Sequence, residues 1–564
     1  MKKTLIILVI PFLFLACSNK KKGLLLLPPG LLGGDSNSSS TQAPTSADSN
    51  TFSVVGLDAT ATTGTSSGSS SGSSTGGTGS TTETSPTTVT STTTTTVVNQ
   101  TTANGGFNFE TNVTVPITVN LQNEAGPIAN APVTISENST GETNVLGQGN
   151  TDANGSATIN ISVPPTVVEV AISVVGVNPS TGQVEEITGS APIQLSNNNG
   201  TVIVSPTVNL VADQFQPVNG CVAAVDTDCD GVANLYDEFP EDPNLSSTAR
   251  SGRYTIAFED LFPNAGDADL NDHTTVFSTE MDKTPDNKVK EIRGIFTHVG
   301  KGAGYNHELR LKLDVNSAAT VQISYVDGSG NPWSGCAGAT KYVSGASGDC
   351  TGGNLSAQAL KTGILILPSS DKTLFGKQNS PAPNASFTAN DFVRGVTANI
   401  TITFDQAVDL NTAKNTVGGH LNYFLAFNQK TNGVYRQIYR PGFVFDGSGK
   451  DVYIDSKGFP WAIIVPGVFN HPTAGSDIRK ASSTGYAYFN TWAESFGVQH
   501  KDWYTQVTNP TYIVKVKDFY TETGFSAYLV KAVKSNIFEI SASLIVLGAA
   551  MGFLFKKRAT KKSA

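Results

Sequence analysis

The chain has 564 residues, of which 15% are charged and 55 are glycine, and its formal net charge is −9. This charge excludes a nucleic-acid-binding protein of the usual basic kind, since such proteins concentrate Lys and Arg on one surface. A polytopic membrane protein is excluded as well, because only the two ends of the chain are continuously apolar.

The charges are unevenly distributed along the chain. Five of the 37 Lys and Arg residues precede Gly23 and five follow Phe555, whereas all 46 Asp and Glu residues lie between these positions. The region between the basic ends therefore has a net charge of about −19, which favours cations over polyanions as partners.

The N-terminal residues have the layout of a secretory signal. A basic dipeptide precedes an apolar run that ends at Ala16, and Cys17 follows directly. The tetrapeptide Phe14-Leu-Ala-Cys17 resembles a bacterial lipobox, with phenylalanine in place of the usual leucine. The resemblance implies that residues 1–16 are removed and that Cys17 carries a lipid, and several acyl chains together anchor a protein stably. The alternative is an ordinary signal peptide with a chance cysteine.

Export places the chain in an oxidising compartment, where disulfides form and persist. Besides Cys17, the sequence contains two pairs of cysteines that are close along the chain, Cys221 with Cys229 and Cys336 with Cys350. Four cysteines allow three connectivities. Proximity favours these two short loops, and the alternative is four free thiols.

An apolar segment, 537–555, precedes the basic tail 556–564. Its continuously apolar part, 540–555, would span about 24 Å as a helix, which is less than the ~30 Å hydrocarbon core. Two interpretations remain open: a hydrophobic helix that crosses the membrane with the tail in the cytoplasm, or a C-terminal sorting tail. The layout resembles sorting tails that end in a Pro-Glu-Pro signature, although both prolines are missing. A spanning helix belongs in the inner membrane, whereas the lipid anchor favours the outer membrane or cell surface.

Residues 17–106 are predicted to form a disordered tether, because Ser, Thr and Gly dominate and too little apolar surface is available to offset the chain entropy. Within 107–212, apolar and polar positions alternate at 113–121 and 157–163, and 167–175 is β-rich. This rhythm predicts a β-sandwich of about 100 residues. The region resembles bacterial Ig-like and carboxypeptidase-regulatory-like modules, which are mostly spacers or adhesion units.

The most specific local motif lies in residues 218–245. Side-chain oxygens occupy positions 1, 3, 5, 9 and 12 of a loop that begins at Asp226, and glycine occupies position 6. Alternate residues of a tight loop point inward, a backbone carbonyl serves at position 7, and Ca²⁺ takes six to eight oxygens. The predicted ligands are Asp226, Asp228, Asp230, Val232, Asn234 and Asp237.

This motif resembles a thrombospondin type 3 repeat. The resemblance implies a structural calcium ion in a loop that is braced by a cysteine pair, and Cys221 and Cys229 fit that role. The alternative is an acidic turn without a metal.

Residues 250–530 contain most of the Trp and Tyr residues, and helical periodicity is scarce. We expect a large antiparallel β domain with Trp461, Trp492 and Trp503 in its core rather than in a glycan groove. The β-rich runs that predict its strands are 309–315, 319–325, 398–404, 443–445, 452–454 and 512–516.

Five collinear segments of this domain resemble the LruC-domain family of bacterial surface lipoproteins. They are YTIAFEDLFPNAGDADLND (254–272), AGYNHELRLKLD (303–314), LNYFLAFNQ (421–429), GFPWAIIVPGVFNHP (458–472) and YAYFNTWAESFG followed by DWY (486–504). The chain departs from the family at 273–275, where His-Thr-Thr replaces an apolar stretch. The resemblance implies an exported, lipid-anchored protein and supplies no enzyme mechanism.

A second acidic cluster lies within the first of these segments. Its oxygen-bearing side chains repel one another unless they are solvated, hydrogen-bonded or bound to a metal. An extended backbone would place three of them, Asp267, Asp269 and Asn271, on one side, which predicts a second calcium site. The alternative is a network that caps strand ends through backbone N–H groups. The candidate residues are Glu259, Asp260, Asp267, Asp269, Asn271 and Asp272.

No metalloprotease helix, nucleophile elbow or phosphate-binding loop occurs in the sequence, and the six histidines show no metal-ligand spacing. We expect His307 to be a strand-pairing or surface residue. The sequence therefore predicts a mainly β, modular and non-enzymatic envelope protein. It would be lipid-anchored, stabilised by Ca²⁺, and in contact with protein or glycan partners of a host, a matrix or the envelope, but not with nucleic acid. The alternatives are a purely structural envelope protein and a carbohydrate-binding module.

Overall fold

The computed structural model describes residues 89–97 and 107–517, with internal gaps. Cys17, the signal segment, the apolar segment 537–555 and the basic tail lie outside the described residues. Among the described helices, none has the length and apolar character needed to cross a bilayer. The gaps are 140–141, 179–183, 198–199, 218–225, 235, 265, 337–349, 377, 384, 389, 430–432 and 481–483.

The described chain is mainly β, as predicted, and its first two sheets form a sandwich. One sheet has the order β1-β10-β2-β3, with β6 on β2 and β9 on β10, and the other has the order β5-β4-β7-β8. Alternate apolar residues of β2 and β6 are buried between the sheets, because successive side chains point to opposite faces. The strands are β1 Val89–Val97, β2 Val113–Asn123, β3 Gly126–Pro127, β4 Pro132–Ser139, β5 Glu142–Asn150, β6 Ser156–Val163, β7 Glu169–Val177, β8 Val184–Pro192, β9 Gln194–Asn197 and β10 Gly200–Ala212.

Strand β1 corrects the predicted extent of the tether. The sequence predicts disorder through residue 106, but Val89–Val97 pairs along its whole length with β10. Threonine is β-branched and favours an extended backbone, and β10 offers a row of unpaired backbone groups. The prediction is wrong for these residues because a polar strand can join an existing sheet edge without contributing a core of its own.

The other two sheets form a larger sandwich. Their orders are β16-β15-β18-β13-β12-β11-β22 and β17-β14-β20-β19, with β21 on β20. The strands are β11 Ser247–Phe258, β12 His273–Lys283, β13 Val289–Gly300, β14 Glu308–Lys312, β15 Ala319–Val326, β16 Gly352–Leu355, β17 Ile364–Leu367, β18 Thr397–Val408, β19 Thr416–Val417, β20 His420–Asn428, β21 Tyr435–Tyr439 and β22 Ala462–Pro466. The helices are α1 Ala357–Thr362, α2 Ser370–Thr373 and α3 Phe489–Glu494, with single 3₁₀ turns at Trp503–Thr505 and Pro510–Tyr512.

The larger sandwich has apolar residues on both faces of its seven-stranded sheet. On the inner face, Ile256 of β11 belongs to the same core as Leu311 of β14. On the outer face, Ile463 of β22 packs in a second core with Trp492 and Trp503, which lie in the segment that follows the sheet. The predicted burial of the tryptophans is confirmed, since Trp461, Trp492 and Trp503 are at most 1% exposed.

Three of the six predicted strands of this domain are confirmed as β14, β15 and β18. The runs 443–445, 452–454 and 512–516 form only isolated bridges. The first two flank a tight turn in which the Asp446 carboxylate accepts hydrogen bonds from the backbone of Ser448 and Lys450, at 2.8 and 3.0 Å. Local turn chemistry therefore limits the ladder that β propensity alone suggests.

A buried polar contact joins residues 107–112, before β2, to the larger sandwich. The Glu110 carboxylate accepts a hydrogen bond from the Arg440 guanidinium, and the Thr111 hydroxyl donates to the Ile464 carbonyl at 2.8 Å. The first residues of the predicted 107–212 module are thus packed against the domain predicted at 250–530.

One predicted disulfide is present. Cys336 and Cys350 are bonded with their Cα atoms 5.8 Å apart. Cys229 is also disulfide-bonded, while Cys221, its predicted partner, lies outside the described residues.

Candidate metal centres

The predicted calcium loop brings four of its expected ligands together. Asp226, Asp228 and Asp230 each place one carboxylate oxygen within 4.8 Å of the others. Asp237 lies close enough for its charge to interact with all three. Gly231 adopts a φ of +93°, a left-handed conformation that suits the sharp bend at position 6.

Backbone N–H groups hold both carboxylate oxygens of Asp226 but only one oxygen of each of Asp228, Asp230 and Asp237. Asp226 accepts a hydrogen bond from the N–H of Gly231 at 2.9 Å, and Asp230 accepts one from Val232 at 2.7 Å. A cation is the kind of group that buried, unpaired carboxylate oxygens fit. The buried oxygens that have no hydrogen-bond partner among the described residues are Oδ2 of Asp228, Asp230 and Asp237.

Asn234 braces the loop instead of presenting a free oxygen. Its Nδ2 donates to the Thr227 hydroxyl at 3.0 Å, and its Oδ1 accepts from the Thr227 backbone N–H at 3.0 Å. The Asn234 oxygen thus accepts one hydrogen bond within the loop, and its role as a ligand stays a prediction. The role of the Val232 carbonyl stays a prediction.

The protonation of the loop carboxylates depends on what binds them. Burial, with a smaller contribution from the neighbouring carboxylates, raises the pKa of Asp230 to about 6 and that of Asp237 to about 7. Without a cation, these groups would be partly protonated near neutral pH. A bound divalent ion would lower the pKa of both carboxyl groups, because it favours their charged forms.

The second predicted site brings together three of its six residues, between the end of β11 and the start of β12. Glu259, Asp269 and Asp272 are buried, and each places one carboxylate oxygen within 4.8 Å of the other two. We call these three residues the buried carboxylate cluster. Asp267, which is exposed, lies near enough for its charge to raise the pKa of all three.

The other two predicted residues make hydrogen bonds outside the cluster, although the Asn271 side chain also interacts with Asp269. Oδ2 of Asp260 lies 2.9 Å from Nε2 of His307, and Nδ2 of Asn271 donates to the Pro472 carbonyl at 3.2 Å. The expectation that alternate residues share one side is wrong here for a local reason.

That reason is the backbone conformation of the intervening residues. Ala268 and Leu270 have φ values of +56° and +49°, which is uncommon for residues other than glycine. Each left-handed residue turns the chain, so the period-two alternation of an extended strand does not apply. Asp269 is directed to the cluster, while Asn271 reaches the loop that contains Pro472.

Backbone N–H groups also hold the buried carboxylate cluster. Glu259 Oε2 accepts from the N–H of Asp269 at 3.2 Å, and Asp269 Oδ2 accepts from Gly475 at 2.7 Å. Asp272 Oδ2 accepts from the N–H of Asp260 at 2.7 Å. Burial, together with the neighbouring charges, raises the pKa of Asp269 to about 8 and those of Glu259 and Asp272 well above their usual range.

Buried histidines beside the cluster are absent from the sequence-based predictions. His273 stacks on His298 with ring centroids 4.3 Å apart, and His307 meets His273 edge-on at 5.9 Å. Burial lowers the pKa of His298 to about 3 and also lowers that of His273, so both rings are neutral at physiological pH. A surface position for His307 is wrong, since the residue is fully buried. The only sequence signal was the polar triplet at 273–275 in place of an apolar stretch.

The family comparison covers part of the larger sandwich. A domain of unknown function, DUF4842, matches residues 287–504. This match lies within the predicted 250–530 domain and begins after both acidic clusters. The resemblances to LruC domains, thrombospondin repeats and Ig-like modules remain predictions.

Comparisons with individual proteins give little further information. No curated protein matches the chain. A crystal structure from Bacteroides ovatus, provisionally described as that of a lipoprotein, is similar with a TM-score of 0.40 and 15% identity over 68% of this chain and 99% of that chain. A 9R-lipoxygenase from Cyanothece PCC8801 matches with a TM-score of 0.12 and 12% identity over 32% of this chain and 39% of that chain. Both similarities are too weak to assign a fold or a function.

Proposed function

We propose that the protein is an exported, lipid-anchored envelope protein without catalytic activity, in which Ca²⁺ stabilises the connection between the two sandwiches. The observation that carries the proposal is the set of buried, unpaired oxygens of Asp228, Asp230 and Asp237 in a loop with calcium-ligand spacing. Hard carboxylate oxygens suit Ca²⁺ better than metals that prefer thiolate or imidazole.

The surroundings of the calcium loop support a structural role for the ion. Tyr236, within the loop, packs against Val175 of β7 and donates a hydrogen bond to Glu186 of β8. Glu238, directly after the loop, forms an ion pair with Arg250 of β11 at 2.6 Å. The loop thus contacts strands of both sandwiches, and an ion that orders the loop would hold these contacts in place.

The export part of the proposal rests on the sequence, with one supporting structural feature. Cys17 directly follows the apolar run of a signal segment. The disulfide between Cys336 and Cys350 fits an oxidising compartment. We place the mature protein at the outer membrane or cell surface, where the acidic folded region would face cation-containing surroundings and protein or glycan partners.

The burial of the tryptophans argues against the alternative of a carbohydrate-binding module. The tryptophans that could form a glycan platform, Trp461, Trp492 and Trp503, lie in the cores. A cavity lined by Asn120 and Asn209 has a volume of about 120 Å³, which is below the roughly 300–1,000 Å³ of typical small-molecule sites.

The test is calcium-dependent unfolding of the full mature chain. Removing Ca²⁺ with a chelator should lower the unfolding temperature, and Asp228→Asn should remove the loop's share of this response while leaving the fold intact. Glu241→Gln is the matched control, since it removes one exposed acidic charge beside the loop. An Asp228→Asn protein that responds to Ca²⁺ as fully as the Glu241→Gln control would contradict the proposal.

A further inference from the structure

Charge balance singles out the buried carboxylate cluster. A typical buried carboxylate of this molecule faces a guanidinium: Glu308 accepts a hydrogen bond from Arg310 at 2.9 Å, and both side chains are fully buried. The hydrogen bonds described above for the cluster come from uncharged backbone N–H groups. A buried carboxylate without a compensating charge is costly unless it is protonated or bound to a metal.

One oxygen of the cluster has no partner at all among the described residues. The Glu259 side chain is fully buried, and its Oε1 accepts no hydrogen bond there. Gly266 lies directly against this oxygen, since a Cβ at that position would stand 2.6 Å from Oε1. The absence of a side chain at Gly266 therefore preserves the space around the free oxygen.

The nearest basic groups are shared with other carboxylates. The charge of Arg479 reaches Glu259, and its guanidinium donates to the Gly266 carbonyl at 3.2 Å. The same guanidinium donates to Asp477 at 2.8 Å and lies 3.5 Å from Asp455. His307 is directed to Asp260, which lies outside the cluster. One guanidinium that is shared with Asp477 and Asp455 cannot balance all three carboxylates of the cluster.

We propose that Glu259, Asp269 and Asp272 bind one divalent cation of the hard, oxygen-preferring class that includes Ca²⁺ and Mn²⁺. The inference goes beyond the proposed function, because it does not depend on ion binding by the calcium loop. Three carboxylates that lie within 4.8 Å of one another offer oxygen ligands only, which favours this class over zinc.

The position of the cluster indicates what the ion does. Gly475 donates its N–H to Asp269 at 2.7 Å, and Ile478 donates its N–H to the Ala268 carbonyl at 3.0 Å. The loop that holds Gly475 and Ile478 belongs to the segment 468–516, which covers the outer face of the seven-stranded sheet. An ion on Asp269 would therefore fasten this covering segment to the end of β11.

A shared proton is the competing explanation. The carboxyl groups of Glu259 and Asp272 lie within hydrogen-bonding reach of each other, so one proton between them would remove one negative charge. It would leave Asp269 to take up a proton of its own, which the raised pKa of that residue allows. Ion binding predicts that the effect of neutralising Glu259 on stability depends on the ion, whereas proton sharing predicts the same effect with and without it.

The first experiment counts ions on the full mature chain. Native mass spectrometry after equilibration with Ca²⁺ or Mn²⁺ alone should show one ion fewer on Glu259→Gln than on the unmodified chain. Asp228→Asn should separately lose the ion of the calcium loop, so failure of one site is distinguishable from failure of the other. An unchanged ion count in Glu259→Gln overturns the inference.

The second experiment compares unfolding temperatures with and without the ion. In chelator, Glu259→Gln should unfold at a temperature no lower than that of the unmodified chain, because the Glu259 carboxyl is there either protonated or ionised without enough compensating charge. In Ca²⁺, Glu259→Gln should unfold at a lower temperature than the unmodified chain, because a ligand is gone. Proton sharing predicts the same order in both conditions, and that outcome contradicts ion binding. Asp272→Asn provides a second variant should Glu259→Gln fail to fold, and Glu308→Gln is a control that should destabilise the chain equally in both conditions.

Discussion

The two acidic regions are assembled in different ways. The calcium loop takes its carboxylates from consecutive turns of one short segment, whereas the buried carboxylate cluster needs a bent segment, 259–272, and a loop that lies 206 residues further along the chain at Gly475. A local loop can order around an ion with little help from the rest of the fold. The buried cluster exists only once the covering segment has docked.

The buried carboxylates differ in the groups that compensate their charge. Glu308 and Glu110 each have an arginine partner within the chain, Arg310 and Arg440. The cluster residues have backbone donors, and the chain compensates their charge less directly. We expect an arginine to balance some buried carboxylates and an ion to balance others. Substitutions and changes of pH test this distinction through the free energy of unfolding.

The largest effect is expected from removing an arginine partner. Arg310→Met should lower the free energy of unfolding by about 3–5 kcal/mol, because it leaves the buried Glu308 carboxylate without its cation. Denaturant unfolding with and without Ca²⁺ would measure the loss, which should be the same in both conditions. The double variant Arg310→Met/Glu308→Gln should recover most of it. A loss that Ca²⁺ abolishes would break the distinction between the two kinds of carboxylate.

A smaller effect is expected from pH in the presence of a chelator. The pKa values of Asp230, Asp237 and Asp269 are raised in the folded state, to about 6, about 7 and about 8. The folded state therefore holds these protons more tightly than the unfolded state, in which the pKa of an aspartate is 3.8. The resulting stability is fully present below pH 3.8, and it is lost as the pH rises through the pKa values of the folded state. We expect the free energy of unfolding in chelator to fall as the pH rises from about 4 to about 8.

Calcium should reverse this dependence, because a bound cation favours the charged carboxylates. Other groups near the cluster, including Asp267, Arg479 and the Asp260–His307 pair, are present in both conditions, so the difference between the two pH profiles reports on the ion. Chemical denaturation at pH 5 and pH 8, with Ca²⁺ or chelator, supplies the four values needed. Parallel profiles would show that neither acidic region binds an ion.

The sequence predicted the features of the fold that depend only on residues close together along the chain. The spacing of the calcium loop identified Asp226, Asp228 and Asp230, and the alternation of apolar residues identified β2 and β6, because both signals are local. The buried carboxylate cluster could be predicted only as a group of six candidates. Left-handed backbone at Ala268 and Leu270 decides which of them meet, and no spacing rule specifies it.

Contacts between residues that are far apart along the chain could not be predicted from the sequence either. His307 was expected at the surface or in strand pairing, but it lies against Asp260, 47 residues away along the chain. Strand β1 pairs with a strand more than 100 residues later, between Val89 and Ala212. Its threonines carry no alternation from which that pairing could be inferred. Composition indicates chain entropy, whereas an available sheet edge is a property of the folded molecule.

The smallest expected effect sharpens the comparison within the calcium loop itself. Asn234 was predicted as a ligand, but its side chain bonds to Thr227 at both ends. If Asn234 only braces the loop, Asn234→Ala should lower the free energy of unfolding by about 1 kcal/mol in Ca²⁺ and in chelator alike. Thr227→Val, which removes the hydroxyl partner, should give a similar loss. A loss that occurs only in Ca²⁺ would instead make Asn234 a ligand, because a ligand contributes stability only when the ion is bound. The Asn234 oxygen would then bind the ion when Ca²⁺ is present and the Thr227 backbone N–H when it is absent.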